Sequence, residues 1–461
     1  MKLVSTQKGL GSIFLIAVLI SSTFAAVKED LVTEDLPGCG HYNFDSYSGY
    51  IPIDDHNKFH YVLVESQSNP ETDPFIIWFT GGPGCSGMLA YFMENGPCVW
   101  DGLDTDPEPH PNEYSWNAKA NVLYVDNPAG VGFNLGYRGE YLNDKIAGEQ
   151  ELNFTLAFFE RYPEFLSNEL YITGESYGGI YVPYLAYNLH KGNHTTRTGG
   201  NLNLQGIAVG NGVTDWKYDG TPAYVEMSFA HGLIPLDLQR RIKESGCSFV
   251  EESEEDIPFS RECQSLGNEW ASYIQKINVY DVYREPRDGG LMSDNSVETL
   301  LKGEEDRVGY TPFLKHFKNQ TPFTMPVPQY MDRDDVRRVF HVTEKKDAFQ
   351  ACVRFNYERL PEASIWIYPT LKEAGYRILK YTGDTDGAVP TLGTLAWIDE
   401  LGWDLQVDHE PFVRNGKVAG YYTKRDGLEL VVFHGVGHLV PMWMREESQE
   451  VLYKWINGQR P

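Results

Sequence analysis

The spacing with the clearest chemical content is Gly174-Glu175-Ser176-Tyr177-Gly178. Glycines two places either side of a serine permit a tight strand-to-helix turn that lifts the hydroxyl towards solvent. The context fits, since 170–173 is an apolar run and 179–190 carries helical spacing. A serine hydroxyl is a weak nucleophile until a base takes its proton, and that base must be oriented by a third group. Two later stretches offer both partners. Tyr381-Thr382-Gly383-Asp384-Thr385-Asp386-Gly387 and Phe433-His434-Gly435-Val436-Gly437-His438-Leu439 each follow or close an apolar run, which puts carboxylates and imidazoles at strand exits. Spacing does not separate Asp386 from Asp384, or His438 from His434.

Attack on a carbonyl builds an oxyanion, which needs two preorganised backbone N–H donors. One usually comes from the residue after the nucleophile and one from a loop after an earlier strand. Tyr177 is the first candidate, and Gly82 in Thr80-Gly81-Gly82-Pro83-Gly84-Cys85-Ser86 is the second. The chain order Ser, Asp, His is that of α/β hydrolases.

These residues need a rigid frame. The runs 75–80, 121–125, 170–173 and 204–209 are apolar and bounded by Gly, Pro or Asn, as strands buried on both faces of a parallel sheet require. Helical spacing over 144–162 and 179–190 lies between them, so the pattern predicts βαβ units. The strand pattern returns at 377–381 and 428–433, and 449–456 predicts a closing helix. The expected fold is α/β, a mostly parallel central sheet with helices on both faces. Its core is expected in two parts, 26–212 and 332–461, around an inserted segment 213–331 of different texture, with an acidic run at 251–256 and a Gly- and charge-rich stretch at 284–319.

The chain has 461 residues, 41% hydrophobic and 23% charged, enough for a large single core. With 39 basic and 65 acidic side chains the formal charge is −26, which repels phosphate backbones and anionic lipid, so nucleic acid is excluded as a partner. Lys2 and Lys8, the apolar run 13–20 and the small residues up to Ala25 and Ala26 read as a secretory signal spanning 1–25. That run is too short to span a bilayer, and no second long apolar stretch follows, so no membrane anchor is expected in the mature chain. The expected destination is the secretory pathway, secreted or lysosomal. There the six cysteines, Cys39, Cys85, Cys98, Cys247, Cys263 and Cys352, can pair completely; they lack the close spacing of zinc sites, so no metal is indicated. Asn153, Asn193 and Asn319 head glycosylation sequons.

The chain resembles the serine carboxypeptidase family, and within it the branch of the protective protein and cathepsin A, from about Asn43 to Trp455. The resemblance is carried by Tyr47-Ser48-Gly49-Tyr50, Gly81-Gly82-Pro83-Gly84-Cys85-Ser86, Ser115-Trp116-Asn117, Ala120-Asn121, Gly174-Glu175-Ser176-Tyr177-Gly178-Gly179, Gly206-Ile207-Ala208-Val209-Gly210-Asn211-Gly212, Gly383-Asp384-Thr385-Asp386 and Gly437-His438-Leu439-Val440-Pro441. It implies an α/β-hydrolase fold whose inserted segment caps the site. It also implies Ser176, Asp386 and His438 as the triad, Gly82 and Tyr177 as oxyanion donors, and no cofactor. It implies that the substrate's terminal carboxylate meets Glu175, Glu94 and the position of Thr80, beside Gly81. The family has Asn where Thr80 stands, a hydroxyl in place of an amide, and Met is common where Leu439 stands. The implied substrates are peptides or proteins with a free C-terminus, cut best in acid; a homodimer is allowed. Acyl transfer to an alcohol and protection of partner hydrolases are the rival expectations. The implied disulfides are Cys85 to Cys352, Cys247 to Cys263 and Cys39 to Cys98.

Overall fold

The computed structural model describes residues 27–100, 108–193, 195–250, 260–284, 287–288, 320–321, 326–342 and 347–461. The expected signal segment, the whole acidic run 251–256, most of the stretch 284–319 and Asn319 lie outside the described residues. One ten-stranded sheet organises the rest. Its strands are β1 (Ser46–Pro52), β2 (Lys58–Val64), β3 (Phe75–Phe79), β4 (Asn121–Val125), β5 (Glu169–Glu175), β6 (Asn203–Gly210), β7 (Arg377–Gly383), β8 (Leu405–Arg414), β9 (Lys417–Arg425) and β10 (Leu428–Phe433). They lie in the order β1-β2-β4-β3-β5-β6-β7-β10-β9-β8.

The middle of the sheet, from β4 to β10, is parallel, and each edge is an antiparallel hairpin. All five residues of β3 and all five of β4 are buried, which is why these strands read as unbroken apolar runs. Alternate side chains still go to opposite faces. Ile76 and Trp78 join one core cluster, whereas Phe75, Ile77 and Phe79 join the other. On the first face pack α1 (Met88–Met93) and the closing helix α8 (Arg445–Ile456), which contributes Val451, Leu452, Trp455 and Ile456. On the second pack α2 (Asp144–Arg161), α3 (Gly178–Lys191) and α7 (Thr391–Glu400). Asn143 caps α2 by accepting from Ile146 N.

Three helices within the expected insertion, α4 (Thr221–Ala230), α5 (Leu236–Ser245) and α6 (Arg261–Ile274), share a separate cluster centred on Tyr224, Leu238, Trp270 and Ile274. Cys247–Cys263 ties the segment after α5 to the first turn of α6. The ends of the stretch 213–331 pack on the main core instead, Val213 on one face and Val327, Tyr330 and Met331 on the other.

Candidate active site

Strand β5 ends at Glu175 and helix α3 begins at Gly178, so Ser176 and Tyr177 make the turn. Ser176 has φ +60°, in the left-handed region that costs a residue with a Cβ. Three backbone bonds hold it there: its N–H donates to Gly210 O at 3.0 Å, and its carbonyl accepts from Gly179 N and Val213 N, each at 3.0 Å. The outcome is a serine partly open to solvent between two buried neighbours.

The Gly-rich loop after β3 lies against this turn. A methyl on Gly81 would come within 2.5 Å of both Ser176 Cβ and Tyr177 N, so only glycine permits the approach. Gly82 follows at an exposed position. Cys85–Cys352 fastens the loop to a segment 267 residues away, and Ser86 N to Ala351 O and Val353 N to Gly84 O bracket the disulfide. Cys39–Cys98 is the third disulfide. Thr80, at the root of the loop, is buried, and its hydroxyl accepts from Trp78 Nε1 at 3.0 Å, which leaves its own proton to give.

The two Asp–His candidate pairs have opposite surroundings. Asp386 and His438 are 0% and 2% exposed and joined by a 2.8 Å bond at His438 Nδ1. Asp386 also accepts from Ala388 N, Val389 N and Asn211 Nδ2, so its carboxylate is saturated with donors. His438 Nε2 is buried and has no hydrogen-bond partner among the described residues, Ser176 Oγ included. Such catalytic bonds are often long until substrate binds. Asp384 and His434 pair at 2.5 Å on the surface, 25% and 58% exposed, and Gly435 N closes the loop on Asp384.

Two acids complete the site. Glu94, just after α1, and Glu175, just before Ser176, are both buried and hydrogen-bonded to each other. Burial pushes the Glu94 carboxyl up to about 7, against the pull of its bond to Glu175 and of the His438 and Arg445 charges. Burial, then the Glu94 charge, holds Glu175 well above the usual carboxylate range. One oxygen of each carboxyl meets no partner among the described residues.

Supporting residues emerge that motif reading did not single out. Asn211, at the end of β6, has φ +36°, donates to both Asp386 and Thr382, and accepts from Gly383 N. Asparagine tolerates that backbone, and its place in Gly210-Asn211-Gly212 was the available signal. Asp144 accepts from the hydroxyls of Tyr177 and Tyr357 at 2.7 and 2.8 Å and from Leu360 N, so the ring of Tyr177 is anchored from below. Leu439 is buried in the first core cluster. Of the sequons, Asn193 is exposed and Asn153 half-buried on α2.

With this geometry in view, comparison with known proteins is direct. Residues 37–458 match the serine carboxypeptidase family. The chain belongs to that family. Serine carboxypeptidase-like 21 of Arabidopsis thaliana is 30% identical to it over 97% of each chain. The lysosomal protective protein of Mus musculus is 30% identical, over 92% of this chain and 93% of that one. In fold, this serine carboxypeptidase matches the crystal structure of a prohormone-processing carboxypeptidase from Saccharomyces cerevisiae with a TM-score of 0.71 at 21% identity, covering 94% of this chain and 97% of the other. The α/β-hydrolase fold expected from the sequence is therefore present, with antiparallel hairpins at both edges of its parallel sheet. Among the described residues no helix is long and apolar enough to cross a membrane.

Proposed function

We propose that this serine carboxypeptidase removes single residues from the C-termini of peptides or proteins through an acyl-enzyme on Ser176, working best in acid. The observation that carries the reading is the buried Asp386–His438 pair beside the Ser176 turn, with the Glu94–Glu175 acid pair one residue from the same serine. His438 Nε2 takes the Ser176 proton as Oγ attacks the last peptide carbonyl. Asp386 fixes the Nδ1–H tautomer and steadies the imidazolium. The N–H groups of Gly82 and Tyr177 stabilise the oxyanion. As the tetrahedral intermediate collapses, His438 gives its proton to the departing amine. Water then enters, loses a proton to His438 and attacks the ester, and the proton returns to Ser176 Oγ.

The substrate's terminal carboxylate is read by Thr80, Gly81, Glu94 and Glu175. Both acids are held above the ordinary carboxylate range, so in acid they carry protons to donate instead of charges to repel. The three-helix segment serves as a cap over the site. The signal-like first 25 residues, glycans at Asn153, Asn193 and Asn319, and a secreted or lysosomal location complete the proposal, with a homodimer as its assembly.

Thr80 favours a second reading, transfer of the acyl group to a small alcohol, because a hydroxyl holds a carboxylate less firmly than an amide does. Incubating the full chain with blocked dipeptides, and with acyl esters plus alcohols, separates the two. The proposal expects free C-terminal amino acid from the dipeptides as the main product. Efficient ester exchange without amino-acid release would replace it with the transferase reading.

A further inference from the structure

The stretch Val279-Tyr280-Asp281-Val282, which follows the three-helix segment, touches both loops of the Asp–His pair at four consecutive residues. Val279 O accepts from Gly387 N at 2.8 Å, just after Asp386. Tyr280 O accepts from His438 N at 2.7 Å, and its ring lies 5.4 Å from the imidazole. Asp281 Oδ1 accepts from the Thr385 hydroxyl at 2.9 Å, just before Asp386. Val282 N donates to Thr385 O at 3.0 Å. Gly437 leaves the room this needs, since a methyl there would meet Tyr280 O at 2.0 Å and Asp281 Cβ at 2.6 Å.

Within the stretch 279–282 Asp281 carries the carboxylate, and its side chain is only 2% exposed. Sinking a carboxylate into such a place is costly unless its oxygens find donors. They do: besides Thr385, Tyr283 N bonds Oδ1 at 3.1 Å and Arg284 Nε bonds Oδ2 at 2.9 Å. The Arg284 guanidinium in turn lies 4.6 Å over the ring of Trp443, five residues beyond His438. The carboxylate therefore joins three segments, its own, the Asp386 loop and, through Arg284, the stretch that follows His438.

We propose that Asp281 is a positioning residue for the reaction, holding Thr385 so that Asp386 and His438 keep their bonded register. The proposal rests on the triad reading above. It acts through one hydroxyl, so it predicts a pattern of substitutions and not merely a loss. The enzyme and its Asp281→Ala, Asp281→Asn, Thr385→Val and Asp281→Ala/Thr385→Val variants are compared by kcat and KM per active site titrated with an organophosphonate, alongside thermal melts. Asp281→Ala should lower kcat per titrated site roughly ten- to hundredfold, the worth of one hydrogen bond to a charged group, with KM within about twofold. Asp281→Asn should recover most of that loss, because the amide oxygen still accepts from Thr385. The double variant should be no slower than the worse single one, as expected for partners in one contact. Unchanged kcat per titrated site, with only a lower melting temperature or titre, would mean that Asp281 is structural, and losses that multiply in the double variant would exclude the route through Thr385. Should Asp281→Ala fail to fold, Thr385→Val carries the same test, and an undiminished kcat there overturns the proposal. Stoichiometric labelling of Ser176→Ala would instead point to failure of the triad reading.

Discussion

Glu94 and Glu175 lie carboxyl to carboxyl inside the fold, hydrogen-bonded to each other although ionisation would give both the same charge. Like charges at that distance cannot both persist out of water, so the pair retains a proton well into conditions where an exposed glutamate has lost it.

The first prediction is a pH dependence with a fixed sign. As pH rises through about 7 the Glu94 carboxyl gives up its proton; on the proposed reading a substrate carboxylate then meets a negative pocket. KM for peptides with a free C-terminus should climb across that pH, and KM for their amides should climb less. Folding is linked to the same proton. The folded value of about 7 lies above the ordinary 4.5, so the folded chain holds a proton that the unfolded chain has released between them. The stability this contributes is present below about 4.5 and lost as pH rises through about 7. Glu94→Gln should flatten both trends in Michaelis profiles and thermal melts; unaltered slopes would assign them elsewhere.

Ser176→Ala should abolish hydrolysis and organophosphonate labelling while the melt is preserved, because the turn needs its small neighbours and not the hydroxyl.

Replacing His438 or Asp386 should cost on the order of 10³–10⁴-fold in kcat, since on the proposed reading the pair acts as a unit with the nucleophile. The same changes at Asp384 or His434 should cost less than about fivefold, as befits an exposed ion pair. Comparable losses at all four positions would leave the buried pair without its assigned role.

Much of this site was legible because parallel strands announce themselves. Strands β3 and β4 are buried on both faces, so their sequences stay apolar throughout, and the candidate catalytic residues follow strand ends. The hairpin of β8 and β9 was not read. Its outer strand is the edge of the sheet and mostly exposed, so Leu405–Arg414 is polar and tolerates Pro411. The signal was nonetheless present in Asn415-Gly416, both with positive φ, which turn the chain between paired Arg414 and Lys417. Spacing alone could not choose between Asp386 and Asp384, although the resemblance implied Asp386. Both leave the same strand two residues apart, and partners distant in sequence distinguish them, among them Asn211, brought from β6 by the sheet.

Thr80→Asn should raise kcat/KM for peptides with a free C-terminus more than for their amides or esters. The amide donates from a planar group with longer reach than the hydroxyl, which already accepts from Trp78. A recovered bond to a charged group is worth roughly 1.5 to 3 kcal/mol, about ten- to more than a hundredfold. An unchanged preference would show that Thr80 does not read the carboxylate.

Removing the Cys85–Cys352 bridge with Cys85→Ala/Cys352→Ala should lower stability by roughly 2 to 5 kcal/mol. Because Gly81 and Gly82 share that loop with Cys85, kcat should fall a fewfold even well below the new melting temperature. The flanking backbone bonds keep part of the loop in place. A lower melt with full kcat would show that the bridge secures the fold alone.

Glu175 and Ser176 are neighbours in the chain, at the end of one buried strand. On the proposed reading, the group that grips the end of the substrate and the group that cuts it are therefore spaced by a single covalent link that no loop motion can stretch. Such a site measures length before it reads sequence. A peptide bond two residues from the end cannot reach the hydroxyl while the terminus is held, so stepwise trimming, one residue per binding event, follows from the backbone itself.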